Sequence, residues 1–399
     1  MGREALAADP DAVRRVVAAV LADELGRLRG RPVAAAERAL WTRDTPVDED
    51  GIGADSLARL RLAARVDEAF RLGDSGVEDF LLLERSLGGW TEVVREGLRR
   101  GRGRVTFRTS GSTGTPKRVT HDLDDLAAES HGHERVLPPA ERIVVLAPTH
   151  HVYGFLFGAL GPCLYGRAVE DATAANPAAL LRRLAPGDRV IATPMHWSLA
   201  LDADADARAP AAAHGVTSTA PCPRAVRAAA EARGLAPFVE IYGSTETAGL
   251  GWRDGASDRF RPLPHLEGTD DPDAPFRRRR DGAALSPPDR VACHPDGSFT
   301  VGPRLDAAVQ VGGVNVHPAR VREILVAHPD VADCAVRLEA DRADARLKAF
   351  VIPAGDRAPA PEVLDRWCAE RLSPPERPLR FTFGPDLPRD PLGKPADWP

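Results

Sequence analysis

The sequence is short of lysine. It holds 50 arginines but only Lys117, Lys348 and Lys394. Drift toward arginine replaces lysines that a planar guanidinium can mimic, so each lysine left is a candidate for a position that needs a compact point charge. Tyrosine is equally scarce, with Tyr153, Tyr165 and Tyr242 alone. The five cysteines are scattered, without CxxC or Cys/His ligand spacing. That excludes a disulfide framework or a zinc site and fits a reducing cytoplasm. No apolar run approaches the roughly 18 residues of a spanning helix, which excludes membrane insertion. The opening MGREALAADPDAV is too polar for a signal peptide. A net charge of −5 over 399 residues gives no broad basic field and argues against a nucleic-acid partner. These exclusions leave a cytoplasmic α/β protein with room for two or three domains.

What is present changes texture along the chain. Residues 11–30 carry Val13, Val17, Val20, Leu21 and Leu28 at helical spacing. A second helix is expected from about Asp55 to Phe70, with Leu57, Leu60, Ala64 and Phe70 on neighbouring faces, and one or two more follow in GVEDFLLLERSLGGWTEVVREGL. This reads as a helical domain over 1–100. From residue 104 short apolar strands (RVTFRTS, IVVLAP, RVIATP and PFVEIYGS) alternate with helical stretches, which predicts α/β layers over 104–303. A small α+β domain is expected over 304–399. The run RRRR at 277–280 reads as an exposed loop.

The strongest local signal is TSGSTGTPK, from Thr109 to Lys117. Two glycines and small residues let backbone N–H groups approach a polyphosphate, the hydroxyls of Thr109, Ser110, Ser112 and Thr113 can add hydrogen bonds, and Lys117 adds charge. A Walker A loop would need glycine where Pro116 stands. The segment resembles the phosphate loop of the acyl-adenylate-forming superfamily: acyl- and aryl-CoA ligases, peptide-synthetase adenylation domains and luciferases. The resemblance makes Thr109, Ser110, Gly111, Ser112, Thr113 and Gly114 ATP-binding residues and Lys117 a catalytic one.

Further matches follow in the family's order. In IYGSTET the resemblance implies that Tyr242 stacks on adenine, Gly243 and Ser244 adjoin it, Thr245 contacts the α-phosphate and Glu246 holds Mg²⁺. Ser218, Thr219 and Ala220 in GVTSTAPCP match the adenine-pocket segment. Asp289 stands where the family binds the ribose hydroxyls, with Arg304 fifteen residues on, although the family's commoner TGD is absent. Asp306 matches the interdomain hinge. After it Arg320 and Arg322 stand where relatives usually have glutamates. In LPRDPLGKPADWP, Lys394 matches the lysine that enters the site during adenylation. THHVYGFLFGALGPCLYG resembles the helix lining the acyl site, which nominates His151, Tyr153 and Gly154 with Trp252, and favours a flat aromatic acid.

Relatives usually have well over a hundred α/β residues before the phosphate loop. Here the first core subdomain is missing or reduced, and GIGADSLARLRLAARVDEAF resembles an acyl carrier protein. Ser56 is then a candidate 4′-phosphopantetheine site, although Asp-Ser also suits a plain helix cap. The layout resembles short ligases of aryl polyene and xanthomonadin-type pathways. The expected fold is thus an α/β adenylating core, shortened, with a helical carrier-like domain before it and a mobile small domain after it. The expected reaction uses ATP and Mg²⁺ to make an acyl-AMP from a hydroxybenzoate-like acid, then loads a carrier-protein thiol in cis or in trans. Free CoA as acceptor and a non-catalytic carrier or adaptor are the alternatives.

Overall fold

A computed structural model of the protein describes residues 1–109, 117–255, 257–339, 345–355, 358–388 and 397–398, without the side chain of Thr109. The described residues form two compact units. The first contains Met1–Arg108, Arg118–Pro287 and Val291–Val301; the second contains Thr109 and Lys117, Pro288–Arg290 and the chain from Gly302 onward.

The first unit opens with helices α1 (Gly2–Ala8), α2 (Pro10–Arg29), α3 (Ala35–Ala39), α4 (Ser56–Phe70), α5 (Phe80–Leu83) and α6 (Leu87–Arg100). Their ends follow local chemistry. Asp9 accepts from the Ala12 N–H at the start of α2, Pro10 takes the first turn, and Gly30 ends the helix at φ +66°. Asp55 and Ser86 cap α4 and α6 in the same way. The buried face of α4 keeps Phe70 of the sequence expectation and otherwise differs from it. It carries Leu62, Ala63, Val66, Ala69 and Phe70, whereas Leu57 and Leu60 are exposed.

Strands β1 (Arg104–Thr109) and β2 (Lys117–Asp122) pair with each other, and α7 (Leu123–Val136) follows. The main sheet then uses β3 (Arg142–Val145), β4 (Ala168–Asp171), β5 (Asp188–Ala192), β6 (His214–Thr217), β7 (Phe238–Ser244), β8 (Ala248–Asp254) and β9 (Arg261–Pro262) in the order β4-β3-β5-β6-β7-β8-β9. Pairing is parallel as far as β7 and antiparallel beyond it. Between the strands run α8 (Val152–Phe155), continued through a π-helical turn into α9 (Gly161–Tyr165), then α10 (Leu180–Arg183), α11 (Pro194–Ala203) and α12 (Arg224–Ala232).

Alternation along the strands divides their side chains between two faces. Ile143, Val145, Ile191, Val239 and Ile241 enter one core; Val144, Leu146, Val190, Ala192 and Phe238 enter another with Trp197 and Leu201 of α11. The first core is continuous with the N-terminal helices, because Leu6, Val17, Leu21, Val66, Trp90 and Val94 belong to it. Polar contacts reinforce the join: the Met1 ammonium meets Asp124 of α7 at 3.0 Å, and Arg15 Nε donates to the Gly158 carbonyl at 2.8 Å. The helical segment therefore folds as one layer of the α/β unit. An amphipathic period identifies a buried face without naming its partner, so sequence alone suggested a free-standing domain.

The arginine run is also more than a loose loop. Arg278, with Arg277 on strand β11 (Phe276–Arg278) between β10 (Leu266–Gly268) and β12 (Ala284–Leu285), pairs with Asp125 and Asp281. Arg280 reaches Asp125 at 2.6 Å, while Arg277 and Arg279 face Glu267. Strand alternation separates Arg277 from Arg278, and the four charges meet two different sets of carboxylates.

Beyond β13 (Asp289–Cys293) and β14 (Phe299–Arg304), the second unit continues with the hairpin β15 (Val309–Val311) and β16 (Val314–Val316), then α13 (Pro318–Val326), β17 (Val331–Leu338), β18 (Leu347–Pro353), α14 (Pro361–Ala369) and β19 (Arg380–Phe383). The sheet order is β17-β18-β19, and Val321, Leu325, Ala349, Val351, Leu364 and Cys368 close its core. This is the small α+β fold expected near the C-terminus. All five cysteines are free thiols. Among the described residues no helix is long and apolar enough to cross a membrane.

Candidate active site

The carboxyl ends of β5, β6 and β7 bring together most of the site residues expected in the first unit. Open parallel sheets bind ligands at this edge. Ser218, Thr219 and Ala220 leave the end of β6, and Tyr242, Gly243 and Ser244 end the neighbouring β7. Ser218 Oγ donates to the Ile241 carbonyl at 2.8 Å, which fastens the two segments together. Thr219 is held at φ +81°, a strained conformation for a β-branched residue. Its Oγ1 is buried with no hydrogen-bond partner among the described residues. Half-buried Tyr242 packs against Phe260 and Phe299, with ring centroids 5.6 and 5.8 Å away.

Thr245 and Glu246 form the turn between β7 and β8. Thr247 ties the turn to Ser244, with their hydroxyls 3.1 Å apart. Glu246 is exposed, and no side chain pairs with it among the described residues. One hard carboxylate fits Mg²⁺, which keeps several waters and takes most of its remaining ligands from substrate phosphates. Among the described residues no cluster of three His, Cys, Asp or Glu offers a closed metal cage.

Two side chains outside the motifs hold this turn. His121 of β2 places Nε2 2.7 Å from the Thr245 carbonyl. A carbonyl only accepts, so Nε2 carries the proton. Burial lowers the ring's pKa and keeps the neutral form dominant, although the Thr245 hydrogen bond opposes that shift. Glu129 of α7 accepts the Gly249 N–H at 2.9 Å. Its complete burial pushes the carboxyl up to about 8, against the opposing effect of that bond. Neither residue has a local signature, since their contacts lie 124 and 120 positions away. His121→Ala is expected to lower kcat/KM for MgATP about tenfold by releasing the turn, and His121→Gln to recover most of it through an amide N–H. ATP–pyrophosphate exchange measured against ATP concentration checks both variants.

The acyl-side candidates stand at the same edge. The Tyr153 hydroxyl donates to the Val216 carbonyl at 2.9 Å and lies 3.4 Å from that of Ala192, which pins α8 over β5 and β6. Gly154 has no room for a side chain, because a Cβ would lie 2.1 Å from the Pro148 oxygen. His151 is exposed before α8, its ring 4.2 Å from that of His150, whose burial drives its pKa down to about 3. Trp252 is half-buried on β8, with the Arg261 guanidinium 5.3 Å from its ring centre.

Lys117 is exposed at the start of β2, and Thr109 ends β1. Ser110, Gly111, Ser112, Thr113, Gly114 and Lys394 lie outside the described residues. In the second unit, the Leu305 N–H donates to the Pro288 carbonyl at 2.8 Å, so Asp289 and Arg304 lie side by side. Arg304 grips Asp306 with two 2.8 Å bonds and holds its carboxyl down at about 2. Ser56 is the exposed first residue of α4, next to the capping Asp55.

This arrangement can be set beside known proteins. Residues 105–269 match the family model described as AMP-binding enzyme, and 321–394 match its C-terminal domain. The chain is an AMP-binding enzyme. It is 40% identical to a 4-coumarate–CoA ligase from Cereibacter sphaeroides over 361 residues, 89% of this chain and 86% of the relative. It is 38% identical to a 4-coumarate–CoA ligase from Rhodobacter capsulatus over 397 residues, 97% of this chain and 100% of the relative. The amide bond synthetase McbA from Marinactinospora thermotolerans superposes with a TM-score of 0.59 at 26% identity, over 73% of this chain and 68% of that one. The AMP-binding enzyme is accordingly an AMP-forming acid–thiol ligase. Its short layout is shared with the Rhodobacter relative, whose whole length it covers.

Proposed function

We propose that the protein joins a hydroxycinnamate-class acid to coenzyme A. The carboxylate attacks the α-phosphorus of ATP, the bond to the terminal diphosphate breaks, and acyl-AMP and pyrophosphate form. The CoA thiol then attacks the acyl carbon and loses its proton, AMP leaves, and the thioester remains. The observation that carries the substrate class is the 38% identity over 397 residues to a relative named for 4-coumarate. His151, Tyr153 and Trp252 around α8 and β8 support a flat acid. The relatives move the reading from a hydroxybenzoate to a hydroxycinnamate, and from a carrier thiol to free CoA.

In this reading Tyr242 stacks on adenine, with Ser218, Thr219, Ala220, Gly243 and Ser244 around it. The unpaired Thr219 hydroxyl supports this assignment. Asp289 accepts from the ribose hydroxyls beside Arg304, because a carboxylate can take two hydrogen bonds from a vicinal diol. Thr109 to Gly114 and Lys117 hold the phosphates, and Thr245 orients the α-phosphate. Glu246 would hold Mg²⁺, which would supply positive charge to offset that of the phosphates. Lys394 stabilises charge at the α-phosphate during attack, and Asp306 is the pivot between the half-reactions.

Acid-dependent ATP–pyrophosphate exchange across hydroxycinnamates, hydroxybenzoates and fatty acids tests the assignment. Hydroxycinnamates should exceed the other classes by on the order of tenfold or more in kcat/KM. Exchange confined to hydroxybenzoates or fatty acids overturns the substrate class. Supplying CoA and a holo-carrier protein separately then settles the acceptor. One observation favours a second reading, in which Ser56 carries phosphopantetheine: Ser56, Leu57 and Leu60 are all exposed at the start of α4 and would be open to a modifying enzyme. Unchanged intact mass after treatment with CoA and a phosphopantetheinyl transferase removes it.

A further inference from the structure

Glu240 of β7 puts a carboxylate where a buried strand ordinarily carries an apolar side chain, and it is only 3% exposed. Its two oxygens serve different segments. Oε1 accepts the Cys222 N–H at 3.0 Å. Oε2 accepts from Nε and Nη2 of Arg253, its cross-strand partner on β8, at 2.9 and 2.7 Å. A second buried guanidinium, that of Arg227 on α12, stands 4.0 Å from the same oxygen and donates to the Ser257 carbonyl at 2.7 Å.

Through these partners Glu240 reaches both walls of the proposed adenine site. One wall is the segment that leaves β6. Ser218 fastens its start to the Ile241 carbonyl, and Cys222 fastens its end to Glu240. Between the two fastenings Thr219 is held at φ +81°. A β-branched residue stays in that region only where its surroundings over-determine it, and a fastening on either side does so.

The other wall is Tyr242. Alternation puts Glu240 and Tyr242 on the same face of β7, opposite Arg253 and Gly251. The Arg253 guanidinium lies 4.3 Å from the centre of the Phe260 ring, and Phe260 packs on Tyr242. Gly251 leaves room for Phe299 beside them, because a Cβ there would lie 2.4 Å from that ring.

We propose that Glu240 is a positioning residue for the adenine base, fixing the Ser218–Ala220 segment through Cys222 and the Tyr242 ring through Arg253 and Phe260. The inference rests on the adenine role given to those residues above. The position requires a carboxylate, since both partners only donate and each needs an acceptor. A glutamine offers one acceptor oxygen, and its NH₂ would face either the Cys222 N–H or the Arg253 guanidinium. Glu240→Gln therefore breaks one of the two links.

ATP–pyrophosphate exchange in the full-length protein, with MgATP and the acid varied separately, tests this. Glu240→Gln is expected to raise KM for MgATP about tenfold, to leave KM for the acid within about twofold, and to lower the preference for ATP over GTP about tenfold. Glu240→Gln/Arg253→Gln removes both charges, so that Arg253 is not left as an uncompensated buried cation. It covers the case in which the single variant fails to fold, and the same result is expected of it. Equal changes in the two KM values, or an unchanged preference for ATP over GTP, would mean that the network supports the fold alone and overturn the inference. An unchanged KM for MgATP also overturns it where Tyr242→Ala raises that KM. If Tyr242→Ala leaves the KM unchanged, the adenine assignment on which the inference stands is what fails.

Discussion

Replacing Lys394 with alanine is expected to lower acid-dependent ATP–pyrophosphate exchange on the order of 100- to 1000-fold and to leave thioester formation from supplied acyl-AMP nearly intact. The asymmetry follows from where charge develops. As the carboxylate attacks, negative charge builds on the α-phosphate oxygens and the departing diphosphate, and a positioned cation stabilises that state more than bound ATP. Thiol attack on acyl-AMP develops its charge at the acyl carbonyl, so a lysine placed for the first step contributes little to the second. The C-terminal family model extends to residue 394, which places this lysine within the matched domain. Lys394→Arg should recover only part of the loss, because a planar fork does not reproduce a point charge. Exchange and single-turnover thioesterification on the same preparations separate the two steps; equal losses in both would sink the assignment.

The proposed nucleotide site was read from the sequence because its chemistry is local. A Gly/Ser/Thr loop ending in lysine, or a tyrosine followed by Gly-Ser-Thr-Glu, carries its function within a few residues. His121 and Glu129 were not legible for the opposite reason. Each is an ordinary residue of a strand or helix until the fold brings it to Thr245 or Gly249. The helix over 56–70 was readable as a helix, and Phe70 as one of its face residues, but the rest of its buried face was not: the structure exposes Leu57 and Leu60 and buries Leu62 and Val66. Arg65 and Glu68 carry no local signature either: Arg65 is 2% exposed, and Glu68 pairs with Arg108 of β1 and Arg118 of β2. Helical period constrains which residues point together, and tertiary packing decides what they meet.

Glu68 carries the second large expected effect, on stability. Its carboxylate binds Arg108 of β1 through Nε at 2.5 Å and Nη2 at 3.0 Å, Arg118 of β2 at 2.6 Å and buried Arg65 at 3.4 Å. Glu24 of α2 shares only Arg108, at 3.0 Å. Glu68→Ala leaves Arg65 without this partner and three guanidiniums facing one another, a loss of about 3 kcal/mol. That corresponds to a fall in Tm of roughly 6–10 °C. Acid adds a second signature. Burial acts to raise the Glu68 pKa, but hydrogen bonding to Arg108 and the charges of Arg108, Arg65 and Arg118 outweigh it, and the net shift is below the ordinary 4.5. The folded state then holds this proton more weakly than the unfolded chain. The contribution is complete above the ordinary carboxylate range and is lost as pH falls through the lowered pKa. Urea unfolding from pH 7 downward should converge for wild type and Glu68→Gln as the carboxylate protonates, with the gap widest near neutrality. A gap that stays constant with pH would mean that the cluster acts by packing alone, and that the helices grip the strands flanking residues 110–116 without using this charge.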